Sequence, residues 1–344
     1  MIKKIITVNE MFSDNIGDQA ISDQMEHFCK KGDNYLVDKA DFSFRTSLKK
    51  QNVVKVNEKK LIRLPIYLKP FLLILKNAGK ANAIAKNKYD LAIIGGGQLI
   101  LSNGSFSASM FLYALFFKLY GTKVKIVSVG VGERFSLVDK IIYRFAFYFV
   151  DEFFLRDIKS QENLRAIFGK KAEYSPDIAY FMSGKICKST SSKHLICPVE
   201  YEVFKRYYKE MGYNFVDYKK YENKWIDEIE SIIFDNPDDG VIITATTLAD
   251  YQFAVSIFKL LSAKHVGRVE LVKTENWYEF IDIAKNCDSV MSGRMHALIL
   301  CHCLGLKIVP YKISKKISAF ENFYLKADAS THKHVLDILR DEIL

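Results

Sequence analysis

Arg294 and His296 stand two residues apart in the stretch SVMSGRMHALILCHCLG, which leaves one apolar run and enters another. Ser292-Gly293 reads as a turn from strand to helix, so both side chains fall at a helix N-terminus. Unpaired amides and the positive end of the helix dipole favour an anion there. Arg294 adds a two-pronged donor for carboxylate or phosphate, and His296 a group that can hold or transfer a proton near neutral pH. A single histidine is more often a satisfied core residue. The turn, the neighbouring arginine and the strand-end position together favour function, with Ser292, Gly293 and Met295 completing the candidate site.

Three other strand ends carry unusual chemistry. In FSDNIGDQAI, Asn15 and Gly17 suit a tight turn and Asp18 can cap the following helix, although a plain, well-capped corner explains them equally. In IIGGGQLI, Gly95, Gly96 and Gly97 precede Gln98 and free backbone N–H groups for an anion or a sugar. The pattern is neither GxGxxG with its downstream acid nor a GxxxxGK[ST] loop. Nearby SVGVGER repeats the theme with Gly130 and Gly132 and adds Arg134. In FFLRDIKS, Arg156 emerges directly after an apolar strand and could fork onto an anion, or pair with an aspartate inside the turn. Asp177 in SPDIA reads as a structural turn residue.

These residues are positioned by an alternation of short β-branched runs with longer amphipathic ones. Strands are expected at 3–8, 90–97, 123–132 and 150–157, with helices near 18–30, 107–120 and 137–149. Around 182–193 the composition shifts to Ser, Lys and Gly, the best linker. The alternation then restarts through HLICPV, GVIITATT, RVELVKT, DSVMSG and LKIVPY. The fold class is therefore α/β, with two Rossmann-like domains of parallel strands at 1–185 and 194–320 and a helical segment at 321–344. Ligands bind beyond the carboxyl ends of such strands, so a cleft between the domains is the expected site.

The chain has 344 residues, nearly half of them apolar, and a net charge of +10. That composition belongs to a globular protein. The opening MIKKIITVNEMF is too short an apolar run for a secretory signal, and SASMFLYALFFKLYG falls short of a bilayer span, so a cytoplasmic protein is expected. Six scattered cysteines suit a reducing compartment, and Cys301-His302-Cys303 lacks partner ligands at metal-binding spacing, so neither metal nor cofactor is expected. Residues 55–88 carry nine Lys or Arg against Glu58 alone, interleaved with Leu, Ile, Tyr and Phe. This is the composition of a segment that seeks an anionic membrane surface, or of a solvated basic face over a core helix. No nucleic-acid-binding signature accompanies the charge.

DNIGDQAI, DLAIIGGGQLI, LRDIKSQENLRAIFG followed by SPDIA, and SGRMHALILCHCLGLKIVPY closing with Lys315 occur in the order seen in the polysaccharide pyruvyl transferase family, which the chain resembles from about residue 10 to 316. The resemblance implies a glycosyltransferase-B-type arrangement with an acceptor side in the first domain and a donor side in the second. It implies transfer of the pyruvyl group of phosphoenolpyruvate, a co-substrate, onto a sugar hydroxyl pair of a capsule, exopolysaccharide or lipid-linked precursor. Arg294, His296 and Lys315 would hold the donor, with Arg156 reaching across. Gly95–Gly97, Gln98, Asn15, Gly17 and Asp18 would line the acceptor half. The family more often has proline after SVGVG, where Glu133-Arg134-Phe135 stands here, and Arg134 is a second candidate for the role of Arg156. A lipid-linked acceptor would suit a peripheral position at the inner membrane face. Two other readings share the fold: a nucleotide-sugar-dependent glycosyltransferase, with Glu275 and Glu279 as the only ribose-binding acids in view, and a non-catalytic polysaccharide-assembly subunit.

Overall fold

A computed structural model describes residues 2–47, 68–184, 192–207, 211–212 and 216–344. Contacts divide it into two compact units: Met1–Ser13, Asp18–Ile178 and Val335–Leu344 form the first, Asp14–Gly17 and Ala179–His334 the second. The unit boundary thus falls at 178/179, just before the Ser/Lys-rich stretch, most of which (185–191) lies outside the described residues.

The first unit runs β1 (Lys3–Asn9), α1 (Ile16–Cys29), β2 (Tyr35–Asp41), α2 (Lys69–Ala85), β3 (Leu91–Gly95), α3 (Ser105–Leu119), β4 (Lys123–Val129), α4 (Leu137–Ala146), β5 (Glu152–Leu155), α5 (Ile158–Phe168) and β6 (Glu173–Tyr174), with α1 starting among the residues grouped with the second unit. All pairings are parallel, in the order β2-β1-β3-β4-β5-β6. The step from β1 to β2 goes one way and every later step the other. Right-handed crossovers therefore put α1 on one face and α2 to α5 on the opposite face. There α3 packs between α2 and α4. Beneath it lies an aromatic core in which Tyr113 stacks on Phe44 at 4.6 Å and donates to the Asp41 carbonyl at 2.8 Å. Each such buried ring contributes roughly 2–3 kcal/mol through removal of apolar surface from water.

The second unit runs β7 (Lys193–Cys197), α6 (Tyr201–Tyr207), α7 (Tyr218–Asp235), β8 (Gly240–Ile243), α8 (Leu248–Lys264), β9 (Val269–Leu271), α9 (Trp277–Ala284), β10 (Ser289–Ser292), α10 (Met295–Cys303), β11 (Lys307–Pro310), α11 (Lys315–Phe323) and α12 (Ala329–Ile343), the end of α12 grouping with the first unit. Its parallel order is β11-β10-β7-β8-β9. Strand order reverses between β1 and β3 in one sheet and between β7 and β10 in the other, the positions at which open parallel sheets leave a crevice. Of the residues expected to seek a membrane, 55–67 lie outside the described ones. No described helix is long and apolar enough to cross a membrane.

Within the second unit, Tyr180 lies 4.5 Å from His332 and accepts or donates a hydrogen bond at His302 Nδ1, 3.2 Å away. Burial, then the neighbouring His332, push the His302 pKa down to about 4. Burial also lowers His332. A histidine held neutral in the fold but ordinary when unfolded contributes stability that is complete above pH 6.5 and is lost as the pH falls toward about 4. Thermal unfolding measured across that window should show a steep loss in the wild type and a shallower one in His302→Gln. An identical slope in both would remove His302 from the explanation.

Candidate functional site

The carboxyl end of β10 is tied to its neighbour before it turns. Ser292, fully buried, donates through Oγ to the Cys197 carbonyl on β7 at 3.1 Å and accepts from Arg294 N at 3.0 Å. At residue 293 a side chain would stand 3.0–3.1 Å from Val199 and Ile313, so either neighbour would have to give by a few tenths of an ångström. Arg294 is then the N-cap of α10, with Met295 buried behind it.

The guanidinium does not float in this turn. Arg294 Nε donates to Asp250 Oδ2 at 2.7 Å and Nη2 to Oδ1 at 2.8 Å. Asp250, fully buried, sits in the first turn of α8, where the Thr247 side chain caps its amide, and it also accepts from Glu200 N at 3.0 Å. One carboxylate thus joins the ends of β7, β8 and β10. Burial opposes the charge on Arg294, but the hydrogen bonds and charge of Asp250, with Glu200 and Tyr207 beyond, raise its pKa above the usual value. The pairing uses one edge of the guanidinium and leaves Nη1 available for an anion at the start of α10.

His296 follows on the first turn of α10 and is half-buried. A Cβ on Gly17 would come within 2.5 Å of its Cβ and Nδ1. Gly17 belongs to the four residues that group with this unit, where Asn15 Oδ1 accepts from Gly17 N at 3.0 Å and Ile16 N donates to the Thr246 carbonyl at 3.0 Å. Asn15 and Gly17 are therefore brought to the same site as Arg294 and His296. Thr244 and Thr246, after β8, are buried here, and neither hydroxyl has a bonding partner among the described residues. Lys315 is exposed at the start of α11, behind the Ser314 cap.

The remaining expected residues lie in the first unit. Gly96 and Gly97 have φ of +74° and +71°. A Cβ on Gly95 would meet Met25 at 2.4 Å, and one on Gly96 would meet Ile21 at 2.1 Å, so these glycines let α1 press against the strand end. Gly97 instead looks toward Asp18, whose Oδ1 lies 3.9 Å from its Cβ position, and Gln98 beside it is half-buried. Arg134 is exposed. Arg156 is 2% exposed; Nη1 donates to the fully buried Asp177 at 3.1 Å, Nε lies 3.6 Å from Asp157, and the guanidinium packs on the bare Cα of Gly130. Within the first unit, Arg156 is thus held in a paired and buried setting.

Sequence reasoning passed over a charged cluster at the ends of β1 and β2. Arg45 donates to Glu10 Oε2 at 2.6 Å and to both oxygens of Asp41, while Ser43 Oγ reaches Glu10 Oε1 at 2.5 Å. Burial raises the Glu10 pKa against the lowering pull of Ser43 and Arg45. Asn9, 1% exposed, has neither amide atom bonded among the described residues. The signal was the polar Asn9-Glu10 pair directly after an apolar strand. Asp250 was missed because TLAD reads as a helix cap alone. Glu279 has both oxygens committed to the cap of α9, at Glu275 N and Asn276 Nδ2. No group of three or more metal-binding side chains occurs among the described residues, and burial raises the Cys301 thiol well above its usual value.

If Asp250 aims Arg294, Asp250→Ala should weaken inorganic phosphate binding, measured by calorimetry, by about tenfold or more. It should also lower stability by about 3 kcal/mol through loss of a buried pair. Unchanged phosphate affinity in a folded variant would show that the pair is structural only.

Several solved structures share the fold. The chain aligns with the UDP-GlcNAc 2-epimerase of Methanocaldococcus jannaschii at TM-score 0.55 and 12% identity, covering 98% of this chain and 99% of that one. The Neisseria meningitidis UDP-GlcNAc 2-epimerase bound to UDP-GlcNAc gives 0.51 and 11%, over 98% and 94%. S. aureus MnaA in complex with UDP gives 0.52 and 11%, over 97% and 91%. At such identities the likeness establishes the glycosyltransferase-B-type fold. No curated protein matches the chain. Residues 15–312 match the polysaccharide pyruvyl transferase family, a span that takes in Arg156, Asp250, Arg294 and His296, and the chain belongs to that family.

Proposed function

We propose that the protein transfers the pyruvyl group of phosphoenolpyruvate to two hydroxyls of a sugar, forming a cyclic ketal and releasing phosphate. The saccharide belongs to a surface polysaccharide or its lipid-linked precursor. The observation that carries this reading is the fork between Arg294 and buried Asp250 at the start of α10. A small donor bearing a carboxylate and a phosphate needs an oriented guanidinium and helix-start amides, and that site offers both.

The chemistry has three demands. A proton must reach the methylene carbon of the donor, a sugar hydroxyl must lose one as it attacks the adjacent carbon, and the second hydroxyl must displace phosphate. Charge that grows on the leaving phosphate is met by the free edge of Arg294 and the first amides of α10, with Lys315 beyond. His296 serves as proton donor or phosphate anchor. On the acceptor side, Gly97, Gln98 and Asp18 present polar groups to a sugar. Glu10, with its raised pKa, is the carboxyl suited to exchange protons there. Arg156 braces the strand ends through Asp177.

The test is phosphate release from phosphoenolpyruvate with free or lipid-linked oligosaccharides supplied as acceptors. Release that depends on acceptor, and that falls by about 100-fold or more in Arg294→Ala, is expected. Thermal stabilisation by uridine diphosphate or cytidine monophosphate, with none by phosphoenolpyruvate, overturns the reading in favour of a nucleotide-sugar enzyme. Undiminished ketal formation in cells carrying Arg294→Ala points instead to a non-catalytic subunit.

A further inference from the structure

On the face of the first sheet covered by α2, α3 and α4, apolar side chains point outward. Leu75 on α2 is 77% exposed, Leu119 at the end of α3 67%, and Leu137 on α4 74%; just after α4, Tyr148 is 79% exposed. They are not scattered. On α2, Phe71, Leu72 and Leu75 recur at helical spacing along the outer side, opposite the buried Asn77, Ala81 and Ala85. On α4, Leu137, Ile141 and Phe145 do the same, with Tyr148 continuing the row. Because α3 packs between α2 and α4, the two ridges flank a third helix.

Within these three helices the accessible charge has one sign, although exposed Asp151, paired with Lys118 of α3, lies just beyond Tyr148. Neither α2 nor α3 contains an acid. The only acid of α4, Asp139, is 4% exposed and bonded to Ser102 and Ser107, so it offers nothing to a partner. Lys76 stands exposed beside Leu75, and Arg144 beside Phe145. Apolar ridges bordered by long cationic side chains, with no accessible acid on the three helices themselves, match a bilayer interface. Rings and leucines enter the boundary between headgroups and acyl chains, while ammonium and guanidinium groups reach the lipid phosphates.

We infer that the outer face of α2, α3 and α4 docks on an anionic lipid bilayer. The surface is built from three helices, well beyond the basic segment legible in the sequence. Docking is a binding property that is independent of which group the enzyme transfers.

Flotation of the full chain with phosphatidylcholine vesicles, with and without phosphatidylglycerol, tests it. Recovery with mixed vesicles, reduced by added salt and absent with phosphatidylcholine alone, is expected. Leu75→Glu with Phe145→Glu should cut that recovery by about tenfold or more, as should Lys76→Glu with Arg144→Glu. All four positions are exposed, so melting temperatures should stay near wild type. The inference is overturned by equal recovery with and without anionic lipid. It is also overturned if Phe145→Glu with Tyr148→Glu floats like wild type, since α4 would then take no part. Self-association that the glutamate variants abolish, without vesicle binding, would make a second copy of the chain the occupant of this face.

Discussion

The site at the start of α10 depends on a carboxylate that has no access to water. A buried Asp250 is tolerable only while donors surround it, since an unpaired charge removed from water costs several kcal/mol. Three N–H groups supply that, two from Arg294 and one from the backbone of Glu200. The dependence is mutual, because Arg294 gains a fixed orientation. A lysine would satisfy the charge but not the fork, and its ammonium would swing on four bonds. Breaking the pair costs stability, but its net gain over an apolar pair is small, and what it adds is direction: one edge of the guanidinium is spent on Asp250 so that the other is aimed.

Close approach of backbone is the second constraint. Gly293 is squeezed between Val199 and Ile313, Gly17 lies against the His296 ring, and Gly95 and Gly96 lie under α1. At each of these positions an added carbon would crowd the neighbour, most severely at Gly17, Gly95 and Gly96. The glycines act differently at the two strand ends. In the second unit they fix the turn that presents Arg294. In the first they seat a helix, and Gly97 is left as the one facing Asp18.

The alternation of strands and helices was legible because buried parallel strands read as unbroken apolar runs. The edge strand β2 was not, since Asp38, Lys39 and Asp41 interrupt its pattern and only its last residues are buried. Arg294 and His296 could be found from the turn and the strand end. Their partner could not, because Asp250 lies 44 residues earlier in a segment whose local role as a helix cap is complete in itself. Arg156 shows the opposite difficulty. An arginine after a strand looks the same in sequence whether it awaits an anion or already faces an aspartate, and here Asp177 stands 3.1 Å away. The Glu10–Arg45 pair spans 35 residues and was hidden for the same reason.

Handedness links the first sheet to the surface of its helices. Once β3, β4, β5 and β6 follow one another in a single direction, their crossover helices must all lie on one face. Each of those helices has one side on the sheet, and α3 has α2 and α4 on its flanks. Core packing explains the apolar residues on those sides and stops there. It gives no reason for leucine, phenylalanine and tyrosine on the outward sides of α2 and α4, where a polar residue would fold equally well. Scattered exposed apolar residues need no special cause, but rows on two helices that flank a third, with no accessible acid on any of the three helices, do. A surface that is apolar along its ridges and cationic at their borders is satisfied by a partner that is apolar within and anionic at its rim.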